Sequence, residues 1–157
     1  MLLVKTYLDR SEASGIGLFS GQIIESGSQI WRLNDATTQI FWKKQFLTIC
    51  ENLSNESILD FIAHSYVREG NVYYLTDNSR FMRNSSHPNI AFRNPVSRVA
   101  IKRIEIGEEL TLDYKLSFDD NTFFHWILSN NEFHTREEFV QFLTTKLMVR
   151  PKRHLSL

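Results

Sequence analysis

The sequence has little of several features that would place it in a particular class. It has a single cysteine, Cys50, so neither a disulfide within the chain nor a cysteine-rich zinc cluster can form. Lys plus Arg equal Asp plus Glu, 18 each, so no overall field steers the protein toward nucleic acid or a membrane. No run of about 18 apolar residues is present, which predicts no membrane span. Together these absences favour a soluble, intracellular protein, and they leave the compartment, cytoplasm or nucleus, open.

The bulk composition is that of an ordinary globular domain. The chain has 157 residues, of which 42% are apolar and 23% are charged, and this length is enough for one domain with a substantial core. Basic residues crowd the last twelve positions: Lys146, Arg150, Lys152 and Arg153. A solvated tail explains this cluster better than a nucleic-acid contact does, so we expect no direct nucleic-acid ligand.

Short strand-like segments separated by turns make up much of the chain before residue 118. The segments "LLVKTYL", "GLFS" and "VYYLT" predict strands, and "GQIIESGSQIWRL" predicts two strands around an "SGS" turn. The pair "IAFRNP" and "SRVAIKRI" predicts a hairpin around Asn94 and Pro95. The segment "EIGEE" predicts a tight turn, and "LTLDYKL" predicts a further strand.

Two regions have helical spacing instead. The segments "TTQIFWKKQFLTICENL" and "SNESILDFIAHSYV" predict helices, the second beginning near Ser54 and presenting Ile58, Phe61, Ile62 and Tyr66 on one face. Helical patterns return after Asp120. The predicted fold class is therefore mainly β, with a helical insert at about 35–70 and C-terminal helices, which is an α+β domain rather than an alternating parallel α/β unit.

Three segments far apart in the sequence carry polar and glycine-rich patterns. The first is Gly15-Ile16-Gly17-Leu18-Phe19, which lacks the third glycine of a dinucleotide fingerprint. The second is "RFMRNSSHPN", residues 80–89, and the third is "IEIGEELTLDY", residues 104–114. In this order they resemble the SET-domain family of protein lysine methyltransferases, and the resemblance covers roughly residues 4–118. We call these segments the first, second and third motifs.

The resemblance implies a fold, a domain division and an activity. The fold is the SET-domain β-clip, whose knot-like crossing brings the second and third motifs side by side. A SET domain at 1–118 would be followed by a helical segment at 119–157, which covers the site in place of the cysteine-rich zinc segment of many relatives. The activity is methyl transfer from S-adenosylmethionine to the side-chain amine of lysine in a protein substrate.

The resemblance also implies which residues bind and react. Matching positions make Ile16, Gly17, Leu18, Phe81, Arg83, Asn84 and Tyr114 cofactor-binding residues. Glycine suits this role because it lets a ligand approach the backbone closely. The substrate lysine must lose its proton first, and an apolar channel and a neighbouring sulfonium both lower its pKa. Alignment in a narrow channel then accounts for much of the lowered barrier.

Tyr114 matches the tyrosine at the methyl-transfer centre of the family and is the predicted catalytic residue. Its hydroxyl would orient the amine or stabilise the sulfonium rather than act as a strong base. Tyr73, Tyr74 and Phe118 are candidates for an aromatic substrate channel. Each of these three is equally compatible with ordinary core packing.

The second motif departs from the family pattern at one important place. The family has Asn-His where this chain has Arg83-Asn84, and the family asparagine contacts the amino-acid end of the cofactor. Two interpretations follow. Arg83 either grips the cofactor carboxylate through a bidentate fork, or clashes with the ligand and repels its sulfonium. On the second interpretation the chain is a catalytically degenerate SET fold that acts as a protein-interaction module.

The remaining alternatives concern partners, metals and an unrelated fold. An unrelated all-β interaction domain is the third hypothesis. His87 has no second His or Cys at ligand spacing, so we predict no metal. Cys50 is expected to be a small buried residue. The predicted partner is a protein with an accessible lysine, and a basic tail would suit the acidic residues near the third motif, although such runs are more often solvated: Glu105, Glu108, Glu109, Asp113, Asp119 and Asp120.

Overall fold

Short β-strands dominate the part of the chain that the structure, a computed structural model, describes: residues 1–12, 15–68 and 71–114. In order, the elements are β1 Thr6–Arg10, β2 Ile16–Ser20, β3 Gln29–Arg32, β4 Thr38–Trp42, α1 Lys43–Cys50, α2 Asn55–Ala63, β5 Ser65–Arg68, β6 Asn71–Leu75, a 3-10 turn Asn78–Phe81, β7 Arg83–Asn84, β8 Ile90–Asn94, β9 Ser97–Ala100 and β10 Thr111–Leu112. The predicted mainly-β class with a helical insert is confirmed. The predicted C-terminal helices lie outside the described residues.

The described residues fall into two compact units. Residues 1–39 and 75–114 belong to the first unit, and residues 40–74 belong to the second. All three motifs lie in the first unit. Among the described helices, none is both long and apolar enough to cross a membrane.

The first motif lies on an antiparallel hairpin. Strand β1 pairs with β2 so that Leu8 faces Leu18 and Asp9 faces Gly17. Leu18 in the middle of β2 is fully buried, whereas Ile16 at the start of the strand is 55% exposed. The hairpin therefore presents the backbone of the first motif along β2.

A five-stranded sheet in the order β3-β9-β8-β10-β7 carries the other two motifs. The predicted hairpin around Asn94 is confirmed, because β8 and β9 pair antiparallel and the Asn94 side chain accepts a hydrogen bond from the Val96 N–H at 3.1 Å. Strand β10 is parallel to both β7 and β8. The predicted tight turn is also present, with Gly107 at φ +84°, where L side chains are strained.

The core of the first unit contains a buried cation. Ten of its apolar members are at most 2% exposed: Leu18, Ile24, Ile30, Trp31, Met82, Ile90, Ala100, Ile104, Leu110 and Leu112. Arg98 lies among them at 1% exposure. Its guanidinium carbon is 4.4 Å from the Trp31 ring centroid and 4.8 Å from that of Phe92, and Nη1 donates to Met82 Sδ at 3.3 Å. Arg98 thus fills core volume as well as carrying charge.

The second unit corrects one helix boundary. The predicted helix beginning near Thr37 is wrong over its first residues, because Thr38–Trp42 forms β4 and the helix begins at Lys43. This segment is rich in β-branched and aromatic residues, which favour a strand, and β4 pairs at the edge of a sheet of order β4-β6-β5. Tyr66 is likewise in β5 and not on the face of a helix.

The helices of this unit pack through aromatic rings. Helix α2 begins where predicted, because the Ser54 hydroxyl accepts a hydrogen bond from the Ser57 N–H at 3.2 Å. The Phe61 ring of α2 lies 5.4 Å from the Phe46 ring of α1 and 4.3 Å from the Tyr74 ring of β6. These contacts join the helices to the small sheet.

Cys50 at the end of α1 is expected to be chemically inert in the folded protein. It is fully buried, as predicted, and burial raises the pKa of its thiol to about 12. The thiolate is the reactive form, so at pH 8 we expect a disulfide reagent such as DTNB to react at least about 100-fold more slowly than after unfolding in guanidinium, where the pKa is about 8.5. Equal rates in the two states would contradict the burial of this side chain.

Candidate functional site

The first and third motifs are joined through their backbones. The Leu110 N–H donates to the Leu18 carbonyl at 2.7 Å, and the Ser20 N–H donates to the Glu108 carbonyl at 2.9 Å. Between these two bonds, Phe19 and Glu109 form an antiparallel bridge. Residues 108–110, which follow the tight turn at Gly107, therefore run alongside residues 18–20, directly after the Gly-x-Gly segment.

The second and third motifs are joined on the other side. Strands β7 and β10 pair in parallel, with Arg83 facing Thr111 and Asn84 facing Leu112. The Ser85 N–H donates to the Leu112 carbonyl at 2.9 Å. The prediction that these two motifs lie side by side is confirmed. The third motif thus pairs with both of the others and brings them to one place.

Asn89, the last residue of the second motif, fixes this arrangement with its side chain. Asn89 is 2% exposed. Its Oδ1 accepts from the Thr111 N–H at 2.8 Å, and its Nδ2 donates to the Glu109 carbonyl at 2.8 Å and to Glu108 Oε1 at 3.1 Å. A buried amide with these partners meets its hydrogen-bonding needs. Asn89 therefore holds the backbone of the third motif at Glu109 and Thr111.

Tyr114 is held at both ends by the second motif. Its N–H donates to Asn84 Oδ1 at 2.9 Å, and its hydroxyl donates to the Met82 carbonyl at 2.5 Å. Burial raises the pKa of the Tyr114 hydroxyl, and the positive charges of Arg98 and Arg83 lower it by less. The hydroxyl therefore stays protonated at neutral pH, and its proton is directed to Met82. A phenolic oxygen can accept hydrogen bonds as well as donate one.

A carboxylate lies against the glycine of the first motif. A Cβ built on Gly17 would be 2.1 Å from Glu109 Oε1, so only glycine allows this approach. Oε1 is 3.7 Å from Arg83 Nε, and the other oxygen, Oε2, accepts from the Ser11 hydroxyl at 3.1 Å. Gly17, Arg83 and Glu109, one from each motif, therefore meet at one point.

The other predicted site residues have different surroundings. Ile16 is exposed at the start of β2, whereas Leu18, two positions further along, is buried. Phe81 ends the 3-10 turn, with the Arg80 guanidinium carbon 4.9 Å from its ring centroid. Tyr73 stacks on Tyr66 at 4.9 Å, and Tyr74 packs on Phe61, both within the second unit. The predicted channel residue Phe118 lies outside the described residues.

Three residues were not predicted as part of the site. Glu109 was grouped with the acidic residues of a solvated face, but its Oε1 is buried and points into the site. Asn89 and Met82 were noted only as members of the second motif, and no role in the site was predicted for them. Asn89 could have been predicted from its position after proline in the second motif. The direction of the Glu109 side chain could not, because it depends on pairing with β2 and no sequence pattern indicates it.

His87 does not join other metal-binding side chains within the ranges described. It is exposed, with Nδ1 3.1 Å from the Ser86 hydroxyl. Across residues 1–12, 15–68 and 71–114, no group of three or more His, Cys, Asp or Glu side chains could hold a metal ion.

Comparison with known proteins identifies the family from the sequence. The family model described as the SET domain matches residues 15–115, which span all three motifs. The chain belongs to the SET-domain family. The arrangement of the motifs described above is therefore the SET-domain arrangement as this chain builds it. No curated protein sequence is similar enough to this SET-domain chain to count as a match.

Solved structures agree with the SET fold at low sequence identity. The Neurospora SET domain protein DIM-5, a histone lysine methyltransferase, is 17% identical with a TM-score of 0.53, covering 72% of this chain and 53% of that chain. Polycomb Repressive Complex 2 of Chaetomium thermophilum, in an autoinhibited conformation bound to S-adenosylmethionine, is 20% identical with a TM-score of 0.56. That match covers 82% of this chain and 17% of that chain. This chain thus spans about half of the first relative and under a fifth of the second.

Proposed function

We propose that this chain transfers a methyl group from S-adenosylmethionine to the side-chain amine of a lysine in a protein. The observation that carries the proposal is the meeting of the three motifs around Tyr114, Arg83 and Gly17 in a chain of the SET family. The methyltransferases among its structural relatives support the reaction class. A protein with an accessible lysine, such as a basic tail, is the proposed substrate.

The residues at the junction fit the amino-acid end of this cofactor. Gly17 has no Cβ, the Glu109 carboxylate fills the space that a Cβ would take, and Arg83 offers a guanidinium that matches a carboxylate. Glu109 Oε1 is buried, and no donor from the described residues makes a hydrogen bond to it. We propose that Ile16, Gly17 and Leu18 line the cofactor with their backbone, that Phe81, Asn84 and Tyr114 complete its site, and that Arg83 binds its carboxylate.

Tyr114 is the proposed catalytic residue, and its hydrogen bonds define its role. When bound, S-adenosylmethionine supplies the methyl group and a positively charged sulfonium. Because the Tyr114 proton is directed to the Met82 carbonyl, the hydroxyl oxygen can accept from an amine N–H and orient it. Its raised pKa makes it a poor base. We propose that Tyr73, Tyr74 and Phe118 line the lysine channel, and that the amine loses its proton before the transfer.

A second candidate function is a SET fold that has given up its cofactor and serves as a protein-interaction module. The observation that favours it is the internal pair of Arg83 and Glu109, which places a carboxylate against Gly17 and leaves the arginine with an anion from its own chain.

Calorimetric titration with S-adenosylmethionine separates the two functions. We expect saturable one-to-one binding by the wild type and about 10-fold weaker binding by Arg83→Asn, because a charge-assisted pair with the carboxylate is lost. Arg93→Asn, at an exposed arginine of β8, is the matched control and should bind like the wild type. Binding that appears only in Arg83→Asn would support the interaction module. A folded wild type and Arg83→Asn that both fail to bind would overturn the methyltransferase proposal.

A further inference from the structure

The carboxylate of Glu109 is held in place from several directions. The Glu109 backbone carbonyl accepts from Asn89 Nδ2 at 2.8 Å, and its neighbour Leu110 is bonded to Leu18 of the first motif. At the end of the side chain, Oε2 accepts from the Ser11 hydroxyl at 3.1 Å. The position of the carboxylate is therefore set by the same contacts that join the three motifs.

The other carboxylate oxygen of Glu109, Oε1, can still accept hydrogen bonds. Oε1 is buried and receives no hydrogen bond from the part of the chain that is described. Its 3.7 Å separation from Arg83 Nε is an ion-pair distance and is too long for a hydrogen bond. A buried carboxylate oxygen without a donor is unfavourable by itself, so this oxygen is suited to a donor brought by a ligand.

Arginine at position 83 creates a need for such an acceptor. A guanidinium carries five N–H donors and no acceptor, so it can bind the carboxylate of an amino acid but not its ammonium group. An asparagine at this position would have offered an amide oxygen to the ammonium. In this chain, Glu109 Oε1 is an anionic oxygen beside Arg83 and against the backbone of Gly17.

We propose that Glu109 binds the α-ammonium group of the cofactor while Arg83 binds its carboxylate. This inference rests on the proposed function. Each charged group of the amino-acid end then contacts a side chain of opposite charge: the ammonium contacts Glu109 and the carboxylate contacts Arg83. Glu109 is thereby a specificity-determining residue of the site, and it takes over the acceptor that arginine at position 83 cannot provide.

The test measures the affinity of Glu109→Gln for ligands that differ at the amino-acid end. Glutamine keeps the shape of the side chain and removes its charge. By calorimetry, S-adenosylhomocysteine should bind at least about 10-fold more weakly to Glu109→Gln than to the wild type, since the hydrogen bond to the ammonium loses its charge assistance. Methylthioadenosine, which lacks the amino-acid end, should bind both proteins within about 2-fold. Glu105→Gln, at an exposed carboxylate 2.7 Å from Arg103, is the matched control and should change neither affinity.

Decarboxylated S-adenosylmethionine separates the two halves of the pair. It keeps the amine and lacks the carboxylate, so its affinity should fall in Glu109→Gln and should not fall in Arg83→Asn, where the amide oxygen of asparagine can also accept from the amine.

Other results of these affinity measurements would contradict either the role of Glu109 or the proposed function. Equal weakening of S-adenosylhomocysteine and methylthioadenosine would make Glu109 a support of the whole site and not an ammonium ligand. Tighter or unchanged binding of S-adenosylhomocysteine by Glu109→Gln would overturn the inference and leave the proposed function standing. No binding of S-adenosylhomocysteine by the folded wild type would overturn the proposed function, and the inference with it.

Discussion

Replacing Tyr114 by phenylalanine should lower kcat by at least about 100-fold, the range expected when a positioned catalytic group is removed. The change deletes the hydroxyl that donates to the Met82 carbonyl and is proposed to orient the amine. Transfer of radiolabelled methyl from S-adenosylmethionine to lysate proteins measures the rate. Affinity for S-adenosylmethionine, measured by calorimetry, should change by less than about 3-fold, because the loss acts on the reacting amine.

The control for this variant is Tyr7→Phe, at a tyrosine that is 41% exposed and stacks on Phe19. It should keep the wild-type rate. The raised pKa of Tyr114 adds a second check. Because the hydroxyl stays protonated to beyond its ordinary pKa of about 10, no limb of the pH–rate profile below pH 9 should vanish in Tyr114→Phe. A variant that keeps a third or more of the wild-type activity would remove Tyr114 from the mechanism.

Replacing Arg98 by alanine should lower the free energy of unfolding by about 3 kcal/mol, as for other large residues removed from a core. The guanidinium lies over Trp31 and Phe92 and bonds to Met82 Sδ, so alanine leaves a cavity between these residues. Urea unfolding followed by tryptophan fluorescence measures the change. Arg98→Lys keeps the charge without the flat group and should give an intermediate loss.

Arg103→Ala is the matched control for the buried arginine. Arg103 is half exposed and pairs with Glu25 at 2.6 Å and with Glu105 at 2.7 Å. Surface ion pairs of this kind contribute little because water and salt screen them, so the unfolding midpoint should hardly move. A larger loss from Arg103→Ala than from Arg98→Ala would mean that charge pairing, and not core packing, decides the stability of this unit.

Much of the fold could be predicted because its signals are local. Asn94 and Pro95 between two apolar runs predict the hairpin of β8 and β9, and Ser54 predicts the start of α2. The strand Thr38–Trp42 was predicted as helix because a short apolar run fits both periods. The segment is a strand because it pairs with β6, and β6 lies far along the chain.

The candidate site was also predicted only in part. The ordered motifs predicted which segments meet, and the parallel pairing of β7 with β10 confirms it. The roles of Arg83, Gly17 and Tyr114 toward a cofactor stay predictions. The inward direction of Glu109 was not predicted, because it follows from a backbone bridge to Phe19 and a hydrogen bond from Ser11. The burial of Arg98 was also missed, since the sequence gives no sign that three distant side chains surround it.

The double pairing of the third motif has a consequence for biosynthesis. Ser11 and Glu109 are 98 positions apart, and the Gly-x-Gly segment leaves the ribosome long before its partner does. A nascent chain that ends before residue 104 has no strand to join the first two motifs, so the three motifs cannot meet until the third has been made. Pairing at such separation is slow relative to local structure. Products truncated before the third motif would therefore lack the whole junction of the three motifs and not only a part of it.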